Sequence, residues 1–373
     1  MTFLPTGEQR AFAGSLDAML TAADTPTAAR AWASGDPAPA RALWKRLAAA
    51  GVFALAAPEA YEGLGLHPVE LAHAFVELGR HAVPGPLAET VAAAVLLTEL
   101  ARLGDEDPAK RLLPALASGA ATATLALVDG PGADGRAGPH APGPEPDSTP
   151  DAAPGPGFGR RGAGRPGGYG PGRHVVPYAL DADRADAVLV VRGEELWQAP
   201  GHGPVRVSAD PVRRLARPAP GGELLAAGPA VAAAAGQARR WAMLATAAQS
   251  LGVGLALLDR TVGYARQRVQ FGTPVGAFQA VKHRLADTLL GLEFARPLLF
   301  GAAVTLTDAD LAAAKVTTGE AAYAAARTAL QVHGAIGYTE ELDLSLWLRK
   351  ARPLRDAWGD PARCRALVLD TAP

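Results

Sequence analysis

From Gly228 onward the chain carries an apolar pattern that can only be satisfied by packing on several sides at once. Leu244, Leu251, Leu255, Leu258 and Val262 keep three-four-seven spacing, which marks a helix of roughly ten turns inside a bundle. Trp241 to Leu258 is the most apolar long run of the sequence. Gln249 and Ser250 within it make it a buried helix rather than a membrane span. Further helices are expected around it at Phe278–Phe300, Asp308–Val332, Leu342–Lys350 and Ala362–Leu369, with Asp308 placed to cap the second of these.

Upstream, residues 1 to about 120 also read as helices. Arg41 to Ala50 is amphipathic and ends at Gly51, as a helix with a glycine C-cap would. Pro68 suits a first helical turn whose apolar face is Leu71, Ala74, Phe75 and Leu78. Two more segments run from about Leu87 to Leu103 and from Pro108 to Leu116.

The middle is different. Thr122 to Val128 is β-prone, and strand signals resume at His174–Pro177, Ala187–Val191 and Val205–Ser208. Between them, 24 of the 45 residues from Asp129 to Arg173 are Gly or Pro. Such a stretch cannot bury enough apolar surface to offset its ordering entropy, so a flexible loop is expected there. The fold class is therefore mostly α with a small β-domain: an N-terminal helical domain at 1–120, a middle β-domain at 121–226 and a C-terminal helical bundle at 227–373.

Charge and cysteine content narrow the function. With 36 basic and 37 acidic residues the net charge is −1, which gives no electrostatic case for nucleic acid or an anionic membrane. Cys364 is the only cysteine, so an internal disulfide and Cys-based zinc sites are excluded, and no metal site is expected. The N-terminus lacks a basic segment followed by an apolar one, and a cytoplasmic protein is expected.

One joint concentrates polar groups. Tyr264 to Asp287 (YARQRVQFGTPVGAFQAVKHRLAD) begins in a helical pattern, breaks at Gly272–Pro274 and restarts as a helix near Phe278. Arginines, glutamines and a Phe-Gly turn thus fall between two long helices that hold the backbone still, a sensible place to meet a ligand.

This joint and QVHGAIGYTEELDLSLWLRKA (Gln331–Ala351) together resemble the acyl-CoA dehydrogenase family of flavoproteins. Support comes from PEAYEGLGL (Pro58–Leu66), ELGR (Glu77–Arg80) and LLPALASG (Leu112–Gly119). The resemblance implies the family fold with a C-terminal four-helix bundle, FAD as cofactor, and an acyl-CoA or acyl-carrier thioester as substrate. It further implies a homologous subunit as partner, in a homo- or hetero-oligomer. In the family a carboxylate removes the α-proton of the thioester while a hydride leaves the β-carbon for the flavin.

Carried over residue by residue, Arg268 matches an arginine that reaches the FAD of a neighbouring subunit, its fork suited to two phosphate oxygens. Gln270, Phe271 and Gly272 stand in register beside it, with Phe271 and Phe278 as cofactor walls and Gln279 near the adenine half. Gln331, His333, Gly334 and Ala335 match the loop after a long helix that contacts a neighbour's cofactor, with Ala335 where the family has a second glycine. His333 is read as packed or capping before catalytic.

The departures weigh more. The two family base positions fall at Trp358 and Ala242, and neither residue takes a proton. Glu340 and Glu341 are the nearest carboxylates in sequence, at a helix N-terminus where the dipole favours acids anyway. The flavin-contacting strand and loop of the middle domain should occur near Leu127, where the chain reads LVDGPGADGR, and the strand that covers the flavin ring has no match in 129–173. Residues used on a subunit's own cofactor look eroded, and those lent to a neighbour look kept. Four readings follow. The first is a non-base-bearing subunit of a hetero-oligomeric dehydrogenase; the second is a homo-oligomer with its base at Glu340, Glu341 or Asp343. The third is a flavin-dependent monooxygenase of the same fold, and the fourth a non-catalytic scaffold.

Overall fold

The computed structural model describes residues 5–128, 177–206 and 208–370. The N-terminal part is built from α1 (Gly7–Thr21), α2 (Thr25–Ser34), α3 (Ala38–Ala49), α4 (Pro68–Arg80), α5 (Leu87–Arg102) and α6 (Asp107–Ala117). Its first helix opens on a reciprocal cap: the Gln9 amide donates to Thr6 Oγ1 and the Thr6 amide to Gln9 Oε1. Between α3 and α4 the short apolar stretch forms a strand, β1 (Ala56–Ala57), paired with β2 (Gly65–Leu66). Two-residue strands carry no periodicity, so this pair has no signature in the sequence.

The β-domain holds β3 (Ala123–Val128), β4 (Ala179–Leu180), β5 (Ala187–Arg192), β6 (Glu195–Gln198), β7 (Leu215–Ala216) and β8 (Glu223–Ala227). Its main sheet runs β3-β5-β6-β8, with β3 and β5 parallel and the other pairs antiparallel, while β4 pairs with β7. The strand expected at Val205–Ser208 is reduced to a single bridge between Arg206 and Leu215; Val207 lies outside the described residues. The Gly/Pro-rich segment 129–173 and residues 174–176 also lie outside them.

The bundle follows as α7 (Pro229–Gln267), the hairpin β9 (Val269–Gln270) and β10 (Thr273–Pro274), α8 (Gln279–Thr305), α9 (Asp308–His333), α10 (Leu344–Asp356) and α11 (Pro361–Asp370). The 39-residue α7 is the central element, packed against α4, α5, α8, α9 and α10. Its apolar 18-residue window is long enough to cross a membrane, and all of it is buried inside the protein. Small residues let its neighbours approach: a Cβ on Gly252 would stand 1.9 Å from the Val76 carbonyl oxygen of α4, and one on Gly79 would stand 2.2 Å from that of Gln249. Its buried hydroxyls are satisfied locally, Thr246 donating to Ala242 O and Ser250 to Thr246 O. The expected cap of α9 shifts by one residue. Thr307 is the N-cap, accepting from the Asp310 amide, and Asp308 instead forms a bidentate pair with Arg240 of α7.

Candidate active site

A cavity of about 520 Å³ opens where the β-domain meets α5, α7 and the turn between α10 and α11. Its apolar wall includes Leu125, Leu127, Leu180 and Met243, and its charged rim includes Arg213, Arg240, Asp308 and Asp360. The turn is set from below by Lys315, a buried lysine of α9 that donates to Leu354 O at 2.7 Å and Arg355 O at 2.8 Å. These are carbonyls of the last turn of α10, so the ammonium caps that helix. Burial pushes the Lys315 pKa down to about 8.

Beyond this cap the backbone takes an unusual path. Trp358 sits at φ 60°, a conformation that costs a bulky residue of order 1–3 kcal/mol. Gly359 follows, where a Cβ would come within 2.8 Å of Cys364 Sγ. The result is that Trp358 lines the cavity and its indole Nε1 donates to Glu89 Oε1 of α5 at 3.0 Å. Ala242, the other position where the sequence resemblance puts the family base, is fully buried in α7 and is not part of the cavity wall.

Glu89 was not singled out in the sequence. It falls in the first turn of its helix, where a carboxylate reads as a partner for the helix dipole. In the structure it is 4% exposed and borders two cavities, the large one and a second of about 20 Å³ behind it. Asp181 also lines the small cavity, fully buried. Its Oδ1 accepts from Trp32 Nε1 at 3.1 Å and from the Arg214 amide at 3.4 Å, while Oδ2 has no partner.

Burial pushes the Asp181 carboxyl up to about 7, and the charge of Glu89 pushes the same way. The folded protein therefore holds a proton that the unfolded chain releases near the ordinary value of 3.8. Its contribution to stability is intact below that value, falls as pH rises from there to about 7, and stays lost above it. Asp181→Asn flattens this slope: thermal midpoints at pH 5 and pH 7 should lie closer together in the variant than in the wild type.

The residues of the Tyr264–Asp287 joint lie elsewhere. Phe271 and Gly272 make a two-residue hairpin turn between β9 and β10, both at positive φ (55° and 76°). This strained turn presents Phe271 to solvent, 94% exposed, with Phe278 edge-on to it at 6.3 Å. Arg268, Gln270 and Gln279 are exposed as well, and no side chain among the described residues pairs with Arg268. None of these residues lines the large cavity.

A stacked pair joins the second motif to the first. The ring of Tyr264, near the end of α7, lies 4.1 Å from that of His333, at the end of α9. His333 is buried, bonds Ala329 O through Nδ1 at 2.8 Å, and burial lowers its pKa, so it packs rather than facing outward. Around it Gln331, Gly334 and Ala335 are exposed, with Gly334 at φ 64° as the C-cap of α9. The structure thus gathers both motifs at one end of the bundle. Glu340 is exposed and held by the Arg349 guanidinium, Glu341 is exposed, and Asp343 pairs with Arg30 at 2.6 Å. None of these three carboxylates borders the cavity.

Family models match on both sides of the β-domain: the acyl-CoA dehydrogenase N-terminal domain over residues 6–120 and the C-terminal domain over residues 231–369. The acyl-CoA dehydrogenase IpdE2 of Mycobacterium tuberculosis is 31% identical over 330 residues, spanning 87% of this chain and 85% of that protein. The chain belongs to the acyl-CoA dehydrogenase family. Solved structures agree on the acyl-CoA dehydrogenase fold. The ChsE4–ChsE5 complex from M. tuberculosis gives a TM-score of 0.75 at 23% identity, covering 100% of both chains. An FAD and proline complex of PigA gives 0.74 at 19% identity, covering 99% of this chain and 98% of that one. Membership places the protein among oxidoreductases, and the described residues put an apolar cavity with a charged rim at the junction of β-domain and bundle.

Proposed function

We propose that this chain is a subunit of an FAD-dependent acyl-CoA dehydrogenase that introduces a double bond between the α and β carbons of an acyl thioester. In this reading it lends Arg268, Gln270, Phe271, Phe278, Gln279 and the Gln331–Ala335 loop to FAD held mainly by a homologous neighbour, which carries the family base. The observation behind the proposal is the separation of two sets of residues. The hairpin set is exposed at one end of the bundle, while the cavity has Trp358 at the family base position.

The hairpin residues fit a phosphate-bearing group approached from outside the chain. Arg268 offers a guanidinium with no pairing side chain among the described residues, and Gly334 takes a left-handed conformation with no heavy atom within 4 Å of an added Cβ. FAD, when bound, accepts the hydride from the β-carbon. This chain's part is to hold and orient it with Arg268 and the loop amides, while the exposed rings of Phe271 and Phe278 exclude water.

A partner surface is available. Leu289, Leu290, Phe294 and Leu298 of α8 are 45%, 54%, 71% and 45% exposed, an apolar face of the kind that subunit contacts cover. The IpdE2 and ChsE4–ChsE5 likenesses support the same reading, the latter being a complex of two named chains. We place the assembly in the cytoplasm.

The test is to co-express the chain with a homologous subunit that carries the base and mix the purified assembly with acyl-CoA thioesters without oxygen. Bleaching of the oxidised flavin by at least one thioester is expected. A flavin spectrum unmoved by all of them contradicts the proposal.

A further inference from the structure

We propose that this chain's own cavity is a flavin-independent proton-transfer site, in which Glu89 exchanges the α-proton of an acyl thioester and Arg213 stabilises the charge that develops on the carbonyl oxygen. The inference rests on the acyl-thioester substrate of the proposed function and adds that it enters this cavity; it does not rest on the loops lent to a neighbour. It supplies the carboxylate that Trp358 and Ala242 do not.

Three observations carry it. Glu89 borders the large cavity, and its Oε1 is fixed by the Trp358 indole at 3.0 Å, so the strained φ of Trp358 positions the carboxyl. The small cavity behind Glu89, about 20 Å³, has room for one water, which needs polar partners. Asp181 Oδ2 is such a partner: fully buried, without any hydrogen bond, on the wall of that cavity. A water there connects Asp181 to Glu89, and a protonated Asp181 then supports the Glu89 carboxylate. Arg213 borders both cavities, and no carboxylate is hydrogen-bonded to its side chain among the described residues.

The step balances without an oxidant. Glu89 takes the proton as the Cα–H bond breaks, and the electron pair moves into the enolate, with charge on the thioester oxygen near Arg213. The same carboxylic acid returns a proton to Cα, and the thioester leaves unchanged apart from exchange with solvent. The other charged groups around Glu89 are Lys350, which bonds Asp210, at the small cavity, and Asp356, Asp360, Arg239, Arg363 and the Arg240–Asp308 pair around the large one.

The experiment follows deuterium uptake at Cα by mass spectrometry. Butanoyl-, octanoyl- and phenylpropanoyl-CoA are incubated with the full chain in deuterated buffer, and their binding is measured by equilibrium dialysis. Exchange by the wild type and a loss of about 10²-fold in Glu89→Gln with binding retained are expected. Trp358→Phe keeps the ring and removes the N–H donor that fixes Glu89 Oε1, so it should slow exchange by about tenfold while thioester affinity is unchanged. Thioester binding with equal exchange in wild type and Glu89→Gln overturns the Glu89 proposal alone, as does an unchanged exchange rate in Trp358→Phe. Failure of the wild type to bind any of the thioesters overturns this inference together with the thioester reading of the cavity.

Discussion

Arg268→Ala should weaken FAD retention in the assembled enzyme by roughly 10²- to 10⁴-fold, because two charge-assisted hydrogen bonds of about 1.5–3 kcal/mol each are lost where a guanidinium fork meets phosphate oxygens. Folding should be unaffected, since Arg268 is exposed and no side chain among the described residues pairs with it. Arg268→Lys should recover only part of the loss, because an ammonium is a point charge without the fork. Fluorimetric titration of the apo-assembly with FAD reads both variants. Equal affinity in wild type and Arg268→Ala would show that the hairpin does not contact the cofactor.

A second large effect is expected in the core. Trp347 of α10 is fully buried, donates from its indole nitrogen to Arg80 O at 2.9 Å, and lies beneath the Arg260 guanidinium at 3.8 Å. The carbonyl it satisfies belongs to the last residue of α4, so one side chain ties together α4, α7 and α10. Trp347→Ala leaves a ring-sized void and a part-buried helix-end carbonyl without its donor, at a cost of about 3–5 kcal/mol. Trp347→Phe fills much of the void while still losing the hydrogen bond, and should cost about 1–2 kcal/mol. Urea unfolding of the two variants separates packing from hydrogen bonding. Equal midpoints for wild type and Trp347→Ala would mean that α10 is not part of the cooperative core.

How far sequence reasoning reached follows from the physics of each element. The bundle was legible because α7 repeats its apolar spacing over many turns, and periodicity is the signal that survives without any tertiary information. The hairpin was legible as a break because Gly272 and Pro274 interrupt that pattern. The strand pair β1–β2 and the shortened strand at Arg206 were not, since isolated bridges depend on what lies across from them.

The site divides in the same way. Arg268 and Gln331 stand in recognisable local patterns, whereas their meeting at one end of the bundle rests on the Tyr264–His333 stack, which joins residues far apart in sequence. Glu89 was invisible for the opposite reason. Its position in a first helical turn supplies an ordinary explanation, and only the cavity on either side of it shows another. Glu340 and Glu341 drew attention by proximity in sequence to a motif, yet they point to solvent.

The central claim is that this chain completes a flavin site it does not itself hold. It is tested most directly by counting FAD per chain in the protein purified alone and in the assembly with a base-bearing homologue. The account predicts little or no FAD and no dehydrogenation for the chain alone, and one FAD per pair of chains with turnover in the assembly. Stoichiometric FAD and dehydrogenase activity from this chain by itself would contradict it.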